Sequence, residues 1–190
     1  TTYYARIYTA DEVPNWSAIS NGATSYTLDT TAPSAIADFV AATGVGAGEL
    51  NFTWTSPGDN GTHGNISGGT FRIYYSSISA DMTGLAFNTA PARTLARVDI
   101  ATNATAGSAQ GYTLSGLQTD GTTYYARTFT ADEVPNWSAI SNGATSYTLD
   151  TTDPAATTDF VAITGVGAGE LNFTWTSPGD NGTFGNIAGG

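Results

Sequence analysis

LNFTWTSPGDNG, residues 50–61, alternates apolar and polar side chains and then breaks into a turn. Leu50, Phe52 and Trp54 fall on one side of an extended chain, and Asn51, Thr53 and Thr55 on the other, because successive strand residues face opposite ways. The Ser-Pro-Gly-Asp-Asn-Gly run that follows holds the residue types that end a strand and reverse the chain. A period of two bounded by such a turn reads as a strand buried on one face.

The same pattern continues outward. Phe71, Ile73 and Tyr75 alternate with Arg72, Tyr74 and Ser76, and Ala96, Val98 and Ile100 alternate with Arg97 and Asp99. Tyr112 and Leu114 make a short strand before Leu117, and Tyr124 opens a longer one through Thr130. SGG at 67–69 and TDG at 119–121 supply further turns. About seven short strands in roughly 120 residues predict an all-β fold, a seven-stranded Greek-key β-sandwich.

An internal repeat sets the organisation. TTYYAR at Thr1 returns at Thr122, and residues 1–69 align without a gap with 122–190. Sixty of the 69 positions are identical; His63/Phe184 and Ala32/Asp153 are among the nine that differ. LDTTAP (28–33) and LDTTDP (149–154) read as short linkers, each with Pro opening the next unit. One complete domain is therefore expected over 33–152. Residues 1–32 would be the last strands of a preceding repeat, and 153–190 the first strands of a following one. Half-sandwiches leave open sheet edges, which are adhesive. The expectation is a chain that continues in both directions, the alternative being a partner chain that donates the missing strands.

Composition narrows the function. Sixteen Asp and Glu stand against five Arg, Lys is absent, and the formal net charge is -11. A nucleic-acid groove and an anionic membrane surface both need cationic patches, so neither partner is expected. No apolar run approaches the roughly 20 residues that span a bilayer. There is no Cys, which excludes disulfides and thiolate metal sites.

LNFTW (50–54), the PGDNG turn, FRIYYSS (71–77), YTLSGL (112–117), GTTYYAR (121–127) and ADEVPNWSAISN (131–142) occur in that order. In these motifs the sequence resembles the fibronectin type III (immunoglobulin-like) repeat domains of secreted bacterial surface and filament proteins. The resemblance covers the complete unit and both partial ones. It implies an extracellular, cell-surface setting, and it puts Tyr124 where that family carries a tyrosine corner, its hydroxyl tied to the chain upstream. Two features depart from the family: LQTDGTTY lacks the usual Pro before the corner, and residues 78–93 form a longer, irregular connection. No RGD tripeptide is present.

Catalysis is not expected. The single His, His63, is replaced by Phe184 in the other copy, and neighbouring carboxylates such as Asp132–Glu133 would face opposite sides of a strand. No catalytic residue and no cofactor are assigned. Calcium is the one metal considered: Asp59 in its Asp-Asn-Gly turn, and the linker residues Asp29, Asp150 and Asp153, are oxygen donors of the type it accepts, but a bidentate Glu at the usual spacing is missing. N-x-S/T sequons at Asn15, Asn51, Asn60, Asn65, Asn103, Asn136, Asn172 and Asn181 are glycosylation candidates. If Phe71, Ile73 and Tyr75 point inward, and Tyr124, Ala126 and Thr128 likewise, then Arg72, Tyr74, Tyr125, Arg127 and Phe129 share the outer face of one sheet, since the resemblance makes these two strands neighbours. Arg and aromatic residues are enriched in contact surfaces, so these five are the candidate interface. The expected role is a structural repeat of an extracellular filament, stalk or adhesin shaft, with neighbouring repeats as its partners. Glycans or other cell-surface ligands are further candidate partners. The alternative is a carbohydrate-binding or spacer module of a secreted hydrolase, with Tyr74, Tyr125 and Phe129 as its stacking platform.

Overall fold

A computed structural model describes residues 2–187. Its strands, in chain order, are β1 (Thr2–Ala5), β2 (Ala23–Tyr26), β3 (Val40–Thr43), β4 (Leu50–Thr55), β5 (Gly69–Ser76) and β6 (Ala96–Thr102). They continue with β7 (Ala109–Leu114), β8 (Thr123–Ala131), β9 (Ala144–Tyr147), β10 (Val161–Thr164) and β11 (Leu171–Thr174). Strands β3 to β9 build the sandwich, a three-stranded sheet β3-β4-β7 against a four-stranded sheet β6-β5-β8-β9. Every pairing is antiparallel.

The core follows from the alternation. Along β4, Leu50, Phe52 and Trp54 are at most 4% exposed, while the residues between them face outward. Phe71 and Ile73 of β5 and Tyr124 and Ala126 of β8 close the core from the other sheet. Phe39 stacks on Phe52 at 5.2 Å, and Trp54 meets Phe71 edge-on at 5.1 Å. Each such side chain contributes roughly 1.5–3 kcal/mol through the apolar area it removes from water.

Backbone features pin the two sheets. Gln118 N–H donates to the Tyr124 hydroxyl oxygen at 3.1 Å, so the corner forms even without the missing Pro. The turn before it holds Asp120 and Gly121 at φ 63° and 70°, the left-handed pair that Asp-Gly favours. Asn142 acts as a clasp between sheets: its Oδ1 accepts from Phe39 N–H at 2.9 Å, and its Nδ2 donates to Phe39 O at 2.8 Å.

The partial units repeat this local structure without its partners. β1 pairs with β2 in the register that β8 keeps with β9, and β10 pairs with β11 as β3 does with β4. What they lack is cover. Trp175, the copy of Trp54, is 58% exposed, and Trp16, the copy of Trp137, is 69% exposed.

Candidate functional site

The structure brings Asp29, Asp59 and Asp132 together where the first linker meets the sandwich. One carboxylate oxygen from each lies within 4.8 Å of the others. The linker is held there by backbone bonds. Pro33 bridges Gly61 in parallel, Ser34 N–H donates to Gly61 O, and Gly61 N–H donates to Ala32 O, both at 3.0 Å. Gly61 sits at φ 67°, a conformation that a side chain disfavours.

Asp132 is buried and locally satisfied. Its Oδ1 accepts from Val134 N–H and Asn136 N–H, and its Oδ2 accepts from Asn136 Nδ2 at 2.8 Å. Asn136 Nδ2 also reaches Asp29 O at 3.3 Å, joining the linker to this turn. The repeat copy Asp11 makes the same three contacts with Val13 and Asn15 in a fully exposed setting. DEVPN is thus a self-sufficient turn.

Asp59 is the stressed member. Its Oδ2 accepts from Asn60 Nδ2, whereas its Oδ1 is buried without a partner. Burial, and then the nearby carboxylates of Glu133, Asp29 and Asp132, raise its pKa above the usual value. A raised folded-state pKa means that ionised Asp59 opposes folding at neutral pH, and that this opposition fades as pH falls through the folded pKa. Without divalent cations, Asp59→Asn should therefore raise the melting temperature at neutral pH. The gain should shrink on acidification, as a thermal melt series across pH would read; a gain that is constant with pH would mean charge is not the cause.

Strand alternation sets adjacent residues apart, and on that rule Asp132 and Glu133 would not share a site. The chain has left β8 by then, and a turn obeys no such rule. Among the described residues, Asp150 and Asp153 join no comparable group of three carboxylates. Asp150 accepts from Thr152 N–H, and the backbone carbonyl of Asp153 accepts from Gly182 N–H.

The expected exposed interface is corrected at two of its five residues. Tyr74, Arg72, Tyr125, Arg127 and Phe129 point away from the central core, but the chain buries Tyr74 and Phe129 and leaves Arg72, Tyr125 and Arg127 half-buried. Tyr74 is 0% and Phe129 is 4% exposed, packed with Met82 and Leu95 and flanked by Leu85, Trp137 and Ile140. The Tyr74 hydroxyl donates to the carbonyls of Phe87 and Thr89. Arg72 forms a bidentate pair with Asp99, both bonds 2.7 Å, donates to Phe87 O, and lies 4.5 Å over the Trp137 ring. Its hydrogen bond holds Asp99 below the ordinary carboxylate range. Phe87 stacks on Trp137 at 5.2 Å, and Arg127 donates to Ser141 O. Period-two alternation tells which side a residue faces. It is silent on what lies over that side, and here the irregular 78–93 connection does, together with Leu95, Trp137 and Ile140.

The sequons separate by what their amide nitrogens do, since a glycan attaches there. Asn51, Asn65 and Asn103 use Oδ1 to accept from Thr113, Ala106 and Gly68, and among the described residues their Nδ2 atoms make no hydrogen bond. Asn15, Asn60 and Asn136 donate Nδ2 to Asp11, Asp59 and Asp132. Asn172 is exposed and Asn181 half-buried. His63 is exposed beside Thr62.

No protein-family model matches the sequence, and no curated protein matches it. Among solved structures, the chain is similar to the crystal structure of chicken CNTN1 FN1-FN3 domains, with 16% identity and a TM-score of 0.44. The match covers 92% of this chain and 52% of that one, so the chain spans about half the length of that structure. The architecture itself is an all-β sandwich of three plus four antiparallel strands.

Proposed function

We propose that this chain is part of a non-catalytic extracellular array, a filament, stalk or adhesin shaft, in which each sandwich is a structural unit tied to its neighbour by a stapled acidic linker. The observation that carries the reading is the repeat: 60 identical positions in 69 at a fixed offset, with the linker repeated in phase. Repeated units that each bury their own core give length without new chemistry. Strands of 6–8 residues plus end loops give an axial period of roughly 35–40 Å. Electron microscopy of the purified native material should show continuous fibres with that period. Short particles bearing an extra globular domain would assign the repeats to a spacer role instead. The sugar-binding alternative loses its support, because Tyr74 and Phe129 are buried and present no stacking platform.

One observation favours a cation at the joint. Asp29, Asp59 and Asp132 converge, and Asp59 Oδ1 is buried without a donor. Calcium binds through oxygen ligands of this type, and binding only the folded form would stabilise it by linkage. Calcium should then raise the melting temperature and a chelator should lower it. An unchanged melt under both would end the calcium reading and leave the array reading standing.

A further inference from the structure

β6 ends the four-stranded sheet, paired on one side with β5 in an unbroken register from Gly69↔Thr102 to Tyr75↔Ala96. Among the described residues, no backbone group of β6 is bonded on its other side. This edge belongs to the sandwich whose strands, β3 to β9, are all present. Sheets commonly guard such an edge with Lys, Pro, a bulge or a very short strand. ARVDIAT, residues 96–102, has none of these: seven residues, evenly paired, without Pro or Gly. Its charges are Arg97 and Asp99, one of each sign, so they discriminate among partners instead of repelling all of them. Arg97 is exposed and makes no hydrogen bond or close ion pair among the described residues. Asp99 lies on the same face two residues on, held from β5 by Arg72.

We propose that β6 is a self-docking edge, along which two copies of the chain pair antiparallel about a two-fold axis at Val98 and merge their four-stranded sheets into one. In that register Arg97 of each copy faces Asp99 of the other, a self-complementary contact of the kind two-fold symmetry requires. An axis at position 97 would set Arg97 against itself, and one at position 99 would oppose two aspartates. Like charges directly opposite are destabilising, so the sequence selects the register centred on Val98. Each Asp99 then lies between Arg72 of its own chain and Arg97 of the copy. A carboxylate accepts from both, because its two oxygens offer about four lone-pair sites.

Main-chain bonds supply the attraction of an added strand, and the side chains set its alignment. A chain of net charge -11 repels its copies, but the edge offsets this locally. Three of the five arginines, Arg72, Arg93 and Arg97, lie on or beside it. The contact needs one complete sandwich and does not rest on the array; in an array it would recur at every unit and bind shafts side by side.

The test uses the intact chain. Sedimentation velocity over a concentration series should show reversible self-association, which Arg97→Asp weakens by roughly tenfold or more. Arg97→Asp and Asp99→Arg chains should each associate poorly alone and well when mixed, because the mixture faces Asp with Arg at both places. Circular dichroism checks that each variant is folded. Two cysteine variants read the register without disturbing these charges. The chain has no Cys, so Val98→Cys sets a single thiol opposite its own copy. Facing Cα atoms about 4.5–5.5 Å apart suit a disulfide. Ala101→Cys would lie roughly 20 Å from its copy along the strand, at about 3.3 Å per residue. Mild oxidation should therefore give covalent dimers at 98 and not at 101. A chain that stays monomeric, or equal cross-linking at the two positions, would overturn the proposal. So would self-association that Arg97→Asp leaves unchanged, because it would come from the open half-units instead.

Discussion

Replacing Trp54 by alanine should lower the unfolding free energy by about 3–5 kcal/mol, the cost of deleting a buried ring and leaving its cavity. The same substitution at Trp175 should stay within about 0.5 kcal/mol. The two tryptophans sit in the same sequence context, LNFTWTSPGDNGT. Trp54 packs edge-on against Phe71 and is closed in by Phe39, whereas Trp175 meets Phe160 and remains 58% exposed. Urea unfolding followed by far-ultraviolet circular dichroism separates the two. Comparable losses from both variants would mean that the second half-unit is packed in solution, by another copy or by its own chain.

The second large effect belongs to the covered outer face. Tyr74→Ala should cost about 3–5 kcal/mol, close to a central core residue, although Tyr74 faces away from the central core. Tyr74→Phe keeps the ring and removes only the donor to Phe87 O and Thr89 O, so about 1–3 kcal/mol is expected. The same denaturation series measures both. If Tyr74→Ala proved as mild as an exposed substitution, the 78–93 connection would have to be detached in solution.

Alternation made β4, β5, β6 and β8 readable, because a strand with one buried face writes that face into every second residue. Tyr124 was readable through its place in GTTYYAR, and its hydroxyl is bonded as that place implied. Asp29 and Asp59 were readable as oxygen donors, but their meeting with Asp132 was not. That meeting depends on Pro33 lying beside Gly61 and on the DEVPN turn, neither of which has a period. The cover over Tyr74 was hidden for a related reason. Met82 and Leu85 lie in an irregular connection and Leu95 just beyond it, and no regular spacing links them to the strand they shield.

The stapled linker has a mechanical consequence. Ala32 and Ser34 are bonded to both sides of Gly61, so the end of the linker is held directly against the sandwich. Tension entering from that side loads these short backbone contacts together, before any core strand feels it. A chain joined in this way resists stretching at small extensions and yields first at its seams.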